Sequence, residues 1–126
     1  MPAEYHIDRE ANAVYSRAWG TLTDSDLLEH QRLITNDPAF TPDLHQLFDL
    51  REVTKVALTS EGIRLLASRD PFGVGSRRAF VVTPGATAVF GMMRMFQILT
   101  NEHPDELRVQ FDHIGKARSW LGLPEQ

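Results

Sequence analysis

Four consecutive residues, Ala79-Phe80-Val81-Val82, are apolar without alternation. A strand with one wet face alternates apolar and polar side chains, so an unbroken run needs cover on both faces and a place inside a sheet. A chain that carries such a strand has to supply packing layers above and below it.

The flanking segments provide those layers. Glu4 to Asp8 and Ala13 to Trp19 favour β structure around the short polar link Arg9-Glu10-Ala11-Asn12, which predicts a hairpin, with Gly20 ending the second strand. Thr23-Asp24-Ser25-Asp26 supplies a capping hydroxyl and acidic residues for a first helix turn. Leu27, Leu28, Gln31 and Ile34 follow at helical spacing, and the helix fades near Asn36-Asp37-Pro38. A short strand is expected over His45 to Leu50, and a second helix opens at Thr59-Ser60-Glu61 with Ile63, Leu66 and Ala67 inward. The loop Asp70-Pro71-Phe72-Gly73-Val74-Gly75-Ser76 leads into the apolar strand, and Thr83-Pro84-Gly85 turns the chain into a third helix from about Ala86 to Thr100. Leu107 to Phe111 reads as a last strand, after which Asp112 caps a helix bearing Ile114, Ala117 and Leu121. The order ββαβαβαβα predicts an α/β domain with a mixed five-stranded sheet: an N-terminal antiparallel hairpin, then parallel β-α units with flanking helices. Without a repeat or linker, residues 1–126 are read as one domain.

Composition narrows the function classes. The chain has no cysteine, which removes disulfides, thiolate nucleophiles and iron–sulfur clusters together. No apolar run approaches the ~18 residues of a membrane-spanning helix, and the first ten residues lack a basic start followed by an apolar stretch, so a cytoplasmic location is expected. A net charge of −4 argues against general attraction to nucleic acid. Charge is unevenly placed: Met1 to Leu50 holds three arginines against nine carboxylates, while Arg51 to Arg78 holds six basic residues against three acidic ones. A mixed solvated surface is the simplest account of that asymmetry.

Two stretches carry a family resemblance. Leu47-Phe48-Asp49-Leu50-Arg51-Glu52-Val53, then a short gap, then Thr59-Ser60-Glu61-Gly62-Ile63 resembles the central signature of STAS domains. The opening hairpin, Arg78-Ala79-Phe80-Val81-Val82, Phe90-Gly91-Met92-Met93-Arg94-Met95-Phe96 and Ala117-Arg118-Ser119-Trp120-Leu121 extend the likeness to the SpoIIAA-like branch over nearly the whole chain. The resemblance implies a mixed sheet flanked by helices and a regulatory role in partner switching, with Ser60 at the phosphorylated position. Thr59 stands where regulatory members have Asp, and Glu61 where they have Ser or Thr. Ser60 also reads as an N-cap for the second helix. The superfamily shape is similar to that of lipid-binding CRAL-TRIO domains, which implies a small apolar, lipid-like ligand as a competing role.

Chemistry-bearing motifs are sparse. His6, His30, His45, His103 and His113 are scattered without metal-ligand spacing, so neither metal nor cofactor is expected. His30, His45 and Asp49 are a conceivable acid–base set. Of these, His45 and Asp49 are paired with the turn Thr83-Pro84-Gly85-Ala86-Thr87, whose helix-opening N–H groups suit an anion; Thr83, Gly85 and Thr87 mark that candidate. This defines an alternative reading as a small hydrolase or transferase. No nucleophile elbow or P-loop is present, and the preferred reading is a non-enzymatic binding or regulatory module.

The third helix is the least ordinary segment. At ~100° per residue, Ala88, Met95, Leu99, Met92, Phe96, Val89, Met93 and Ala86 fill half its wheel, with Phe90 and Ile98 outside that arc. Thr87, Gly91, Arg94, Gln97 and Asn101 form the polar remainder. One face packed on a sheet needs a narrower stripe. Phe90, Met92, Met93 and Met95 are therefore candidates for a ligand pocket or a homodimer contact.

Overall fold

A computed structural model describes residues 2–73, 75–100 and 108–124; Val74, Asn101, His103 and Leu107, which entered the expectations above, lie outside them. The elements are β1 (Ala3–Asp8), β2 (Ala13–Thr23), α1 (Asp24–Thr35), β3 (His45–Ala57), α2 (Ser60–Ser68), β4 (Arg78–Val81), α3 (Thr87–Thr100), β5 (Arg108–Phe111) and α4 (Ile114–Leu121). The expected α/β class and a mixed sheet are observed. Strands lie in the order β1-β2-β3-β4-β5, with β1 antiparallel to β2 and every later pair parallel.

Pleating sorts the side chains onto two faces. Phe48, Leu50 and Phe80 meet α1, α2 and α3 through Leu27, Ile63, Leu66, Val89, Met93 and Phe96. Leu47, Ala79 and Val81 point the other way, where α4 covers them with Ala117 and Leu121. All four residues of β4 are buried, as its unbroken apolar pattern requires. A third cluster of Val14, Ile34, Leu44 and Phe72 closes the end of the sheet near the start of β3.

Several boundaries depart from expectation. Gly20 does not end β2; it sits at φ +68 among register shifts between Arg17 and Trp19 and between Gly20 and Thr21, and the strand continues to Thr23. Glycine reaches this left-handed conformation without the Cβ clash, so it bends the strand at a bulge instead of terminating it. β3 likewise runs on through Arg51-Glu52-Val53-Thr54-Lys55-Val56-Ala57, paired with β2 as far as Thr23↔Ala57. Val53 and Val56 pack on the core there. The strand extension occupies the stretch where a short connecting loop was expected.

Caps also differ in detail. Thr23 caps α1 as anticipated, its Oγ1 accepting from the Asp26 N–H at 3.2 Å. For α2 the cap is Thr59, whose Oγ1 accepts from the Gly62 N–H at 3.0 Å; Ser60 is the first helical residue and is exposed. Thr59 has the extended backbone a cap needs, with φ −104 and ψ 159. At α4 the cap is His113 rather than Asp112, with Nδ1 accepting from the Gly115 N–H at 3.0 Å.

Candidate functional site

The face of the sheet covered by α1, α2 and α3 contains a cavity. It lies between α1, α2 and α3 and the strands β3 and β4, and its volume is about 50 Å³. Leu27, Ile34, Phe48, Phe80, Met93 and Phe96 make most of its wall. Its polar wall comes from His30, Gln31, Gln46 and Arg78. Gln31 and Pro71 are the half-buried members of the lining, so the mouth lies between α1 and the loop after α2.

Each polar group reaches the interior by a local rule. Arg78 precedes Ala79 on β4 and shares the face of Phe80, two residues on, so pleating turns its guanidinium into the helix layer. There it donates to Asp70 Oδ1 at 2.6 Å and, through Nε and Nη2, to Gln46 Oε1 at 3.1 and 3.0 Å. The Asp70 and Arg78 side chains are only 8% and 6% exposed. Aromatic rings complete the enclosure, with the Arg78 guanidinium 4.3 Å from the centroid of Phe72 and 5.2 Å from that of Phe96. A cation so enclosed is tolerable only because a carboxylate and ring faces replace its water. Gln46 in turn donates to Ser16 Oγ at 3.0 Å, extending the network to β2.

His30 enters the same wall from α1. Leu27, His30 and Ile34 are the buried residues of that helix, spaced three and four apart on one stripe. Its ring lies 5.1 Å from Phe48 and edge-on to Tyr5 at 5.9 Å. Burial pushes the imidazole down to about 4; the Glu4 backbone carbonyl works against that shift and the Arg78 charge works with it. His30 is therefore neutral near pH 7. Its Nε2 is buried and has no hydrogen-bond partner among the described residues, the one side-chain atom there of which this holds. Between α1 and α2, Gln31 donates to the Leu66 carbonyl at 2.9 Å and so ties the two helices beside the mouth.

The residues singled out on α3 divide. Met93 is buried and lines the cavity, while Met92 and Met95 pack against the same core at its margin. Phe90 is 53% exposed and stands apart from them. The buried arc of α3 runs through Phe96, Val89 and Met93 to Gln97, which had been assigned to the polar stripe, whereas Ala88 and Leu99 from the expected inward arc are exposed. The helix is thus rotated about its axis relative to the wheel reading, toward the side that buries Gln97.

The acid–base alternative is not assembled. His45 and Asp49 share a strand four residues apart, a span of roughly 13 Å at strand rise. His45 Nδ1 accepts from the Arg77 N–H at 2.8 Å, and burial and the Arg77 charge lower the imidazole's proton affinity. Burial would raise the Asp49 carboxyl, but its bonds from Arg51 hold it below the ordinary carboxylate range. Thr83 lies beyond Asp49, away from His45, where its hydroxyl donates to the Arg51 carbonyl at 3.1 Å. The turn's Ala86 and Thr87 N–H groups are used internally, on the Thr83 and Gly85 carbonyls at 3.1 and 2.9 Å. Gly85 does adopt the left-handed conformation, φ +87, that the corner requires.

Asp24 is a polar contact that the motif reading missed. Its carboxylate accepts from both the N–H and the hydroxyl of Thr59, at 2.9 and 2.6 Å, and it occupies the space a Cβ on Gly62 would need. The glycine of the Ser60-Glu61-Gly62 stretch is explained by this contact. Among the described residues, no cluster of His, Asp and Glu could hold a metal ion, and no helix is long and apolar enough to cross a membrane. No known family model, curated protein or solved structure matches the chain.

Proposed function

We infer that the chain is a non-enzymatic, STAS-like binding or regulatory module that holds a small, largely apolar ligand between its helix layer and its sheet. The observation that carries this reading is the cavity itself, an aromatic and aliphatic space with its polar groups confined to His30, Gln31, Gln46 and Arg78. Ligand sites have this composition, mostly apolar with a few placed polar groups. The motif resemblance around Asp49 and Gly62 supports the regulatory half of the reading. Native mass spectrometry of freshly purified protein tests it: a retained small molecule whose loss follows Met93→Trp, in a protein that remains folded, is the expected result. Unliganded protein that binds no small apolar probe in solution would overturn it.

A second reading, contact with a protein partner or a second copy, is favoured by a different observation. Phe90, Ile98 and Leu99 on α3 are 53%, 65% and 45% exposed. Exposed large apolar side chains mark an interaction surface where they form one contiguous patch. Phe90→Glu is expected to leave thermal stability unchanged while lowering the oligomeric mass in sedimentation; an unchanged mass would remove Phe90 from any such contact.

A further inference from the structure

The buried atom without a partner and the cavity coincide, and together they restrict the chemistry of what enters. His30 forms part of the cavity wall, yet its Nε2 bonds to nothing among the described residues. A buried polar atom left unmatched is destabilising, and native proteins keep few of them. The other polar groups of the wall are already engaged: Arg78 by Asp70 and Gln46, Gln46 by Ser16, and Gln31 by the Leu66 carbonyl. His30 is the place where an incoming group gains a hydrogen bond without breaking one.

Charge narrows the class further. The Arg78 guanidinium is matched by the Asp70 carboxylate at 2.6 Å, so that pair adds no net charge for an ion to neutralise. A charged ligand would lose its hydration without a counter-charge, which low-dielectric surroundings penalise heavily. A neutral hydroxyl avoids that loss. It both donates and accepts, so it bonds the imidazole nitrogen in either tautomer. Size sets the remaining limit. A single water needs roughly 10 to 15 Å³ of such space, so a space of about 50 Å³ takes only the hydroxyl-bearing end of a molecule, and the rest must lie toward Gln31 and Pro71.

We propose that the cavity recognises a small neutral molecule with an apolar body and a hydroxyl group, the hydroxyl bonding His30 and the body lying against Phe80, Met93 and Phe96. This rests on the cavity being a ligand site.

Phenol and toluene, which differ by hydroxyl for methyl, separate the two levels of the argument. Water holds phenol more strongly than toluene, so an apolar space alone favours toluene. The expected result for the full chain is saturable shifts of the Met93 methyl and of the His30 ring nitrogens, with phenol about tenfold tighter than toluene. In His30→Phe the preference is expected to vanish or invert while toluene still binds, and His30→Gln, which keeps a hydrogen-bonding group, restores it in part. Toluene binding as tightly as phenol to the wild-type protein would overturn the hydroxyl assignment and leave the cavity reading standing. If neither probe moves the Met93 methyl, the cavity reading fails and this inference with it. Because the wild-type comparison needs no variant, it decides the matter even where His30→Phe does not fold.

Discussion

Under α4 the sheet presents Ala13, Leu47, Ala79 and Val81, whereas under α1 to α3 it presents Phe48 and Phe80 together with the buried Arg78. The helices repeat the contrast: α4 brings Ala117, fully buried, and α3 brings Met93 and Phe96. Small side chains let a helix backbone approach the sheet and leave no gap to fill. Large rings must be fitted to one another, and on this face the fit leaves a cavity and requires an ion pair to be buried with it. One side of the same sheet is therefore closed by close approach and the other by interlocking, and the cavity lined by His30 and Arg78 lies on the second.

The largest test of that contrast removes the counter-charge. Asp70→Ala removes the carboxylate 2.6 Å from the Arg78 guanidinium, which lies buried among Phe72, Phe80 and Phe96. A loss of about 3 to 5 kcal/mol in urea denaturation is expected. A loss under 1 kcal/mol would show that water reaches the guanidinium and that the two faces differ less than their side chains suggest. The second test uses acid. Free histidine titrates near 6.5 and buried His30 near 4, so between those values the unfolded chain binds more protons than the folded one. Stability is accordingly complete above pH 6.5 and falls as pH is lowered through about 4, by roughly 3 kcal/mol at full protonation. Comparison of wild type with His30→Leu at pH 7 and pH 4.5 checks it, because the variant lacks this part of the pH dependence.

Much of the architecture was legible in the chain. The alternation of strands with helical spacing, the unbroken Ala79 to Val82 run and the Thr23 cap are local patterns, and local patterns are where sequence speaks most directly. The cavity was not legible, because its polar members come from distant segments: His30 and Gln31 from α1, Gln46 from β3 and Arg78 from β4. Nothing in the composition of Arg77-Arg78 separates the exposed arginine from the buried one; pleat direction does. One signal was available and was passed over. His30 stands three residues after Leu27 and four before Ile34, on the same stripe, while Gln31 was chosen in its place. The continuation of β3 past Leu50 was missed because likeness to a strand-loop-helix signature outweighed the inward spacing of Val53 and Val56.

Smaller effects sharpen the comparison. Ala117→Leu adds bulk where α4 touches the sheet and is expected to lose about 1 to 3 kcal/mol by overpacking. Leu66→Phe, whose extra carbons enter the cavity, is expected to lose clearly less, and equal losses in thermal melts would contradict the difference in packing. The smallest effect separates neighbouring hydroxyls. Thr59→Ala removes both the α2 cap and its bond to Asp24, at about 1 kcal/mol or somewhat more, whereas Ser60→Ala is expected within about 0.5 kcal/mol of wild type, as for other exposed positions. A larger effect at Ser60 would return the cap to the position first expected for it.

The order β1-β2-β3-β4-β5 has a consequence for assembly. Each strand pairs with the one that precedes it in the chain, so no strand has to be inserted between two that are already joined, and the sheet can lengthen in the sequence in which the residues are synthesised. Every parallel step encloses a single helix of 9 to 14 residues and its links, keeping paired residues near one another along the chain. Contacts of short sequence separation form sooner than distant ones. The helix layer over the cavity is built one member per added strand, α1, α2 and then α3, so the binding space is complete only when Met93 and Phe96 arrive as its last wall.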